Sequence, residues 1–94
     1  MFKITRGTGF QMTFENGWTI SVQFGTMNYC ENRGKDEKNE EEYYQTPGLH
    51  CSSDAEIAIW GIGGDWYNFG DDEVKGHCSA DEVATWIEFT KNQK

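Results

Sequence analysis

The chain has 94 residues, which is enough for one domain and too few for two. Acidic residues outnumber basic ones by 16 to 8, giving a formal net charge of −8. This charge opposes direct binding of nucleic acid and docking on an anionic membrane surface, because both are themselves negatively charged. No stretch approaches the roughly 20 apolar residues of a membrane-spanning helix. We therefore expect a soluble protein, whose charge would suit contact with a basic protein surface.

The first part of the chain predicts a short strand followed by a β-hairpin. Phe2 and Ile4 alternate with polar residues and precede a glycine-rich break at residues 7–9. Apolar and polar residues then alternate over residues 10–14 and again over residues 18–24, as they do in half-buried strands. The short connection between these two strands contains an Asn-Gly pair, which is typical of a hairpin turn.

The register of the hairpin follows from the length of its turn. A two-residue turn would pair Glu15 with Trp18 and place the apolar side chains of one strand beside the polar side chains of the other. A three-residue loop pairs Phe14 with Trp18 and turns every apolar side chain to one face. We therefore predict a type I turn followed by a left-handed glycine bulge at Gly17.

The middle of the chain has a different composition. Residues 35–42 form a highly charged run without an apolar stripe, and the only proline follows at Pro47. Segments of this composition rarely form packed structure. We predict one domain over residues 1–94, with a mobile charged loop at about residues 31–54.

The last part of the chain predicts further strands and a helix. Residues 56–60 and 66–69 are rich in β-branched and aromatic residues, and residues 73–77 are a candidate short last strand. Ser79 and Glu82 have the spacing of a capping box, which predicts an amphipathic helix from residue 80 to about residue 91. The expected fold is α+β: a small antiparallel sheet of four to six strands with one C-terminal helix packed on it.

Five residues are of types that bind zinc, namely Cys30, His50, Cys51, His77 and Cys78. Their spacing lacks a Cys-x-x-Cys pair, and neighbouring residues in a strand point to opposite faces. The odd number of cysteines favours reduced thiols in a cytoplasm. No cysteine opens the predicted helix, where a thiolate would be stabilised. We therefore expect no metal, no cofactor and no catalytic residues, and interpret the chain as a binding protein rather than an enzyme.

Aromatic residues make up 15% of the chain, more than one small core requires. The large side chains expected in the core are Phe2, Phe10, Phe14, Trp18, Phe24, Trp60, Phe69, Trp86 and Phe89. The remaining aromatic residues, together with the acidic run, could form a contact surface. The candidate contact residues are Tyr29, Glu40, Glu41, Glu42, Tyr43, Tyr44, Trp66 and Tyr67.

Several segments resemble a group of small proteins encoded by tailed bacteriophages. The resemblance lies in residues 9–25, 28–30, 55–60, 66–69 and 74–76. Small phage proteins of this size often antagonise host defences, such as CRISPR effectors or cyclic-nucleotide signalling. The resemblance implies an anti-defence role. The negative charge favours direct contact with a defence protein. The leading expectation is therefore a non-enzymatic inhibitor that binds and occludes such a protein in the cytoplasm of the host bacterium.

Two other functions stay open at this point. The chain could form a homo-oligomer that sequesters a cyclic-nucleotide signal, with aromatic rings stacking on bases. In that case the phosphates would be held by Arg6, Arg33 or Lys75. The chain could also be a minor structural or assembly protein of the virion.

Overall fold

A five-stranded antiparallel sheet and a C-terminal helix make up the fold. The computed structural model describes residues 1–6, 8–34 and 51–94. The elements are β1 (Phe2–Ile4), β2 (Gly9–Thr13), β3 (Thr19–Gln23), β4 (Asp54–Trp60), β5 (Lys75–Ser79) and α1 (Ala80–Lys91). The strands lie side by side in chain order, each antiparallel to the next. The prediction of an α+β fold is confirmed. No helix among the described residues is long and apolar enough to cross a membrane.

The β2–β3 hairpin has the predicted register. Met12 lies opposite Ile20, and Phe10 lies opposite Val22. The Phe14 N–H donates to the Trp18 carbonyl oxygen at 2.9 Å, which closes a three-residue loop. The last residue of this loop is a glycine with a φ of 84°, in the left-handed region that glycine adopts without steric cost.

The hydrophobic core lies between one face of the sheet and the helix. Its centre is the fully buried Ile20, Ile57 and Ile59 on β3 and β4. These residues share a face because directly opposed residues of neighbouring strands point the same way, and Ile20 lies opposite Ile59. The helix lies over β3, β4 and β5, and the buried Val83 packs against the same cluster.

An aromatic cluster seals the core beside the helix. The ring of Tyr67 contacts Phe69, Trp86 and Phe89, with ring centroids 5.0–5.9 Å apart. The prediction of a strand over residues 66–69 is wrong, since only Trp66 makes a β-bridge and the next partner of β4 in the sheet is β5. The side chains of Tyr67 and Phe69 pack against Trp86 of the helix, and their residues do not belong to a strand.

Two expected core residues lie outside the core: Phe2 is on the edge strand β1, and Trp60 is on the sheet face turned away from the helix. Phe2 belongs to the edge strand β1 and is 77% exposed, so its predicted place in the core is wrong. Period-two alternation marks one face of a strand, but burial also requires an element that covers this face. Among the described elements, the helix reaches β3, β4 and β5 and does not lie over β1 or β2.

Both ends of the helix are capped by side chains. The Ser79 hydroxyl accepts from the Glu82 N–H, and the Glu82 carboxylate accepts from the Ser79 N–H, each at 3.2 Å. The predicted capping box is thereby confirmed. At the other end, the amide of Asn16 in the hairpin turn donates to the Thr90, Lys91 and Gln93 carbonyl oxygens. The hairpin turn is therefore joined to the helix C-terminus by side-chain hydrogen bonds.

The described ends of the predicted loop are held by hydrogen bonds. Asn32 is fully buried, and its amide donates to the Phe24 and Cys51 carbonyl oxygens at 2.9 and 3.2 Å. The Glu31 carboxylate accepts from both the N–H and the hydroxyl of Ser53. These contacts join the turn after β3 to the start of β4. The charged run at residues 35–42 lies outside the described residues.

Asp54, the first residue of β4, links the turn after β3 to β5. Its carboxylate accepts from the Glu31 N–H at 2.7 Å and lies 3.0 Å from Nδ1 of His77. The hydrogen bond from Glu31 lowers the pKa of Asp54, with a further contribution from His77 and against the opposing effect of desolvation. The ionised carboxylate therefore favours the folded state.

Asp54 should make the fold sensitive to acid. Because its pKa is lower in the folded chain, its contribution is present above the unfolded pKa of about 3.9 and is lost as the pH falls through the folded value. We expect Asp54→Asn to lower stability at neutral pH and to flatten its decline in acid, as measured by thermal unfolding. The control is Asp71→Asn, which removes an exposed carboxylate. An unchanged acid dependence in Asp54→Asn would contradict this role.

Candidate functional site

The sheet face turned away from the helix carries a groove of about 250 Å³. Its floor is made by Ser21 on β3 and Ala58 on β4, which lie opposite each other and are both buried. Polar residues of β2, β3 and β4 and a pair of tryptophans form the walls. This open-face groove is lined by Gln11, Ser21, Gln23, Glu56, Ala58, Trp60, Trp66 and Val74.

Two stacked tryptophans form the aromatic wall of the groove. The ring centroids of Trp60 and Trp66 are 5.3 Å apart, and their planes meet at 22°. The turn between them contains Gly64 with a φ of 85° and brings Trp66 back to a β-bridge with Trp60. Trp66 remains 47% exposed, so part of the stacked pair is open to solvent.

The polar wall contains side chains that are already oriented by neighbours. The amide oxygen of Gln23 accepts from the hydroxyls of Thr5 and Thr8 at 2.9 and 2.8 Å, and its amide nitrogen donates to the Ser21 hydroxyl. The Glu56 carboxylate accepts from the Tyr29 N–H at 2.7 Å. These contacts fix the two side chains at one end of the groove.

Gln11 differs from the other polar residues of the groove. Its side-chain amide makes no hydrogen bond to any residue that the structure describes. It lies opposite Ser21 on β3 and opposite Lys3 on β1. Its donor and acceptor are therefore available to a ligand in the groove.

A second feature lies on the helix side of the sheet, where β1 and β2 extend past the helix. Phe2 lies opposite Met12, and Ile4 lies opposite Phe10, so all four side chains share the apolar face. Phe2 and Ile4 are 77% and 82% exposed. We call this surface of Phe2, Ile4, Phe10 and Met12 the apolar edge.

The apolar edge continues into a cavity of about 410 Å³ beside the helix. Phe10 belongs to both, and the cavity is otherwise lined largely by apolar side chains that include Val22, Phe24 and Ile87. Exposed apolar surface on β1 is thus continuous with a partly open part of the core. Contiguous apolar surface of this kind marks interaction sites in soluble proteins.

The candidate contact residues from the sequence are dispersed in the structure. Trp66 lines the groove, and Tyr29, which is 50% exposed, flanks it through its hydrogen bond to Glu56. Tyr67 lies half-buried in the aromatic cluster beside the helix. The candidates outside the described residues are Glu40, Glu41, Glu42, Tyr43 and Tyr44.

The three candidate phosphate ligands do not line the groove. The Arg33 guanidinium lies 4.2 Å from the ring centroid of Tyr29 and donates to the Met27 carbonyl oxygen. Arg6 occupies the turn between β1 and β2 with a φ of 50°. Lys75 lies opposite Ile57 at the far edge of the sheet. These cations are placed on separate elements.

Sequence reasoning missed most of the groove. Gln11, Gln23 and Glu56 are the polar members of alternating strands, a pattern that by itself indicates only a solvent-facing side. Trp60 was expected in the core. One signal could have indicated the groove. The correctly predicted register of β2 and β3 places Gln11 opposite Ser21, and pairing with β4 extends this row of side chains to Ala58.

No group of three His, Cys, Asp or Glu side chains among residues 1–6, 8–34 and 51–94 could hold a metal ion. Cys30 and Cys78 are buried, and burial raises the pKa of the Cys78 thiol. A raised pKa lowers the fraction of thiolate, which is the nucleophilic form.

Thiol labelling should separate the three cysteines. We expect the exposed Cys51 to react with a thiol reagent in the folded protein, whereas Cys30 and Cys78 react only after unfolding. The measurement is the number of thiols labelled rapidly before and after addition of denaturant, with Cys51→Ser as the control. Rapid labelling of Cys78 in the folded protein would contradict its burial.

Comparison of the chain with models of protein families, with curated proteins and with solved structures found no match in any of the three.

Proposed function

We propose that this chain is a phage-encoded, non-enzymatic inhibitor of a bacterial defence system, which binds a defence protein directly and occludes it. The observation that carries the proposal is the apolar edge. Phe2 and Ile4 stand 77% and 82% exposed on the same face of a sheet-edge strand. Within the described residues, β1 pairs only with β2, so its outer backbone groups face away from the sheet.

Covering the apolar edge would stabilise a complex. Full burial of a Phe or Ile side chain contributes roughly 1.5–3 kcal/mol. Edge strands of soluble proteins are commonly protected by charges or by a covering element. On β1 the one charged side chain is Lys3, and it belongs to the opposite face from Phe2 and Ile4. A partner that adds a strand to β1 would satisfy its backbone and bury both side chains.

Charge supports a protein partner with a basic surface. The described residues 51–74 contain six acidic residues and no Lys or Arg. Four of these acids, Asp65, Asp71, Asp72 and Glu73, are exposed in the turns before β5. Basic nucleic-acid channels of defence proteins would attract such a surface, and the attraction would weaken as salt increases.

A cyclic-nucleotide sponge has less support. Phosphate recognition relies on clustered Arg or Lys side chains, and Arg6, Arg33 and Lys75 lie apart from the groove. A structural role in the virion has no specific feature of the described residues in its favour. Direct occlusion in the host cytoplasm is therefore the function that we propose.

The proposal is tested by expressing the chain in bacterial strains that each carry one defence system. A phage restricted by that system is plated on each strain with and without the chain. We expect plating to be restored on a strain with one particular defence protein, and that purified protein should form a complex with the chain. Failure of the expressed chain to restore plating on all of the strains would contradict the proposal.

A further inference from the structure

The size of the open-face groove limits what it can hold. Its volume of about 250 Å³ is below the roughly 300–1,000 Å³ of pockets for drug-sized ligands. A single planar ring system with a small substituent fits such a space, whereas a dinucleotide does not. Ser21 and Ala58 form the floor with small, buried side chains, so a ligand would be contacted mainly by the larger side chains of the walls.

The aromatic wall supplies a stacking surface for such a ring. A centroid separation of 5.3 Å is that of two aromatic rings in direct contact, so a ligand in the groove would contact the open part of the pair rather than enter between the tryptophans. The ring of Trp60 packs against the ring of Trp66, and the β-bridge between the two residues holds the backbone. The platform is therefore formed before any ligand binds.

The polar wall supplies a matched donor and acceptor. The Gln11 amide has no hydrogen-bond partner among the described residues, while Gln23 and Glu56 are held by their neighbours. An amide side chain pairs well with adenine, which presents an N6 amino donor beside an N7 acceptor. Guanine presents two acceptors at the same edge and pairs better with Arg or Lys.

The charge of the groove argues against a phosphate contact. Among the described residues, no Arg or Lys lines it, and the charged residue that does is Glu56. We propose that the open-face groove binds one adenine-type base or its nucleoside, stacked on Trp66 and hydrogen-bonded by Gln11, with no contact to phosphate. This site is on the opposite face of the sheet from the apolar edge, and its existence does not depend on the proposed inhibition of a defence protein.

The test is titration of the isotope-labelled chain with adenosine, followed by the backbone amide and indole N–H signals in NMR spectra. We expect saturable shifts of the Trp60 and Trp66 indole signals and of the Gln11 amide. Trp66→Ala should weaken binding about 5- to 150-fold, the range for loss of one base stack. Trp66→Phe should lose less, since it keeps an aromatic face.

The matched control is Tyr29→Ala. Tyr29 is as exposed as Trp66, at 50% against 47%, but it does not line the groove. Its removal should leave adenosine binding unchanged. Gln11→Leu should remove most of the preference for adenosine over guanosine while the stacking remains.

Four outcomes would overturn the assignment. These are no saturable shifts at millimolar adenosine, equal shifts with ribose alone, equal losses in Trp66→Ala and Tyr29→Ala, and binding of adenosine monophosphate that is much tighter than that of adenosine. The last result would show a phosphate contact that the groove residues do not provide.

Discussion

The double substitution Phe2→Ser and Ile4→Ser should abolish inhibition of the defence system while leaving the domain folded. Both side chains are largely exposed, so folding gains little from them. A partner that buries them would lose the transfer free energy of two large apolar groups, equivalent to about 100- to 10,000-fold weaker binding. The measurements are phage plating on the strain with the target defence protein, and thermal unfolding of the purified variant.

A matched control replaces two other exposed apolar residues. Met27 and Ile62 are 83% and 78% exposed but lie in turns outside the sheet. Met27→Ser with Ile62→Ser should therefore retain inhibition. If the variant of Phe2 and Ile4 inhibits as well as the wild-type chain, or if both double variants lose inhibition equally, the apolar edge is not the contact surface.

The substitution Asn16→Ala should produce a large loss of stability for a surface turn, about 1–3 kcal/mol. The Asn16 amide nitrogen donates to the carbonyl oxygens of Thr90, Lys91 and Gln93 at 3.0, 3.2 and 2.8 Å. The helix ends at Lys91, whose carbonyl is one of the groups that a helix C-terminus leaves without an internal partner, whereas the Thr90 carbonyl also accepts from the Gln93 N–H at 3.3 Å. The measurement is the free energy of unfolding in urea.

Two further variants separate helix capping from turn formation. Asn16→Asp keeps the acceptor for the Trp18 N–H but loses the donors and places a negative charge at the negative end of the helix dipole. It should therefore be less stable than Asn16→Ala. Asn68 also accepts from the N–H two residues ahead, at Gly70, and its side chain makes no hydrogen bond to the helix among the described residues. Asn68→Ala should cost less than about 0.5 kcal/mol, and a loss equal to that of Asn16→Ala would refute the capping role.

Local signals in the sequence predicted the elements that depend on neighbouring residues. The three-residue hairpin loop with Gly17 and the capping box that begins at Ser79 are both decided within a few residues. The failed strand at residues 66–69 depended on distant partners. Its aromatic residues have high strand propensity, but Tyr67 and Phe69 pack against Trp86 of the helix.

The apolar edge and the open-face groove were harder to predict than the fold, because they depend on which sheet residues the helix leaves uncovered. Phe2 has the alternation of a half-buried strand, and only the position of the helix shows that β1 lies beyond its reach. Trp66 was identified as a surplus aromatic residue, which agrees with its exposure. Its groove partners Gln11 and Gln23 are ordinary polar strand residues until the sheet brings them together with Trp66.

The central claim is that the chain acts by stoichiometric, non-covalent binding. The most direct measurement is titration of the purified chain into the defence protein that it suppresses, with the activity of that protein as the readout. The account predicts that inhibition is complete at a fixed molar ratio, that it is reversed when the complex is separated, and that the masses of both proteins are unchanged. Complete inhibition by far less than one equivalent, or inhibition that persists after the chain is removed, would contradict it and indicate an enzyme.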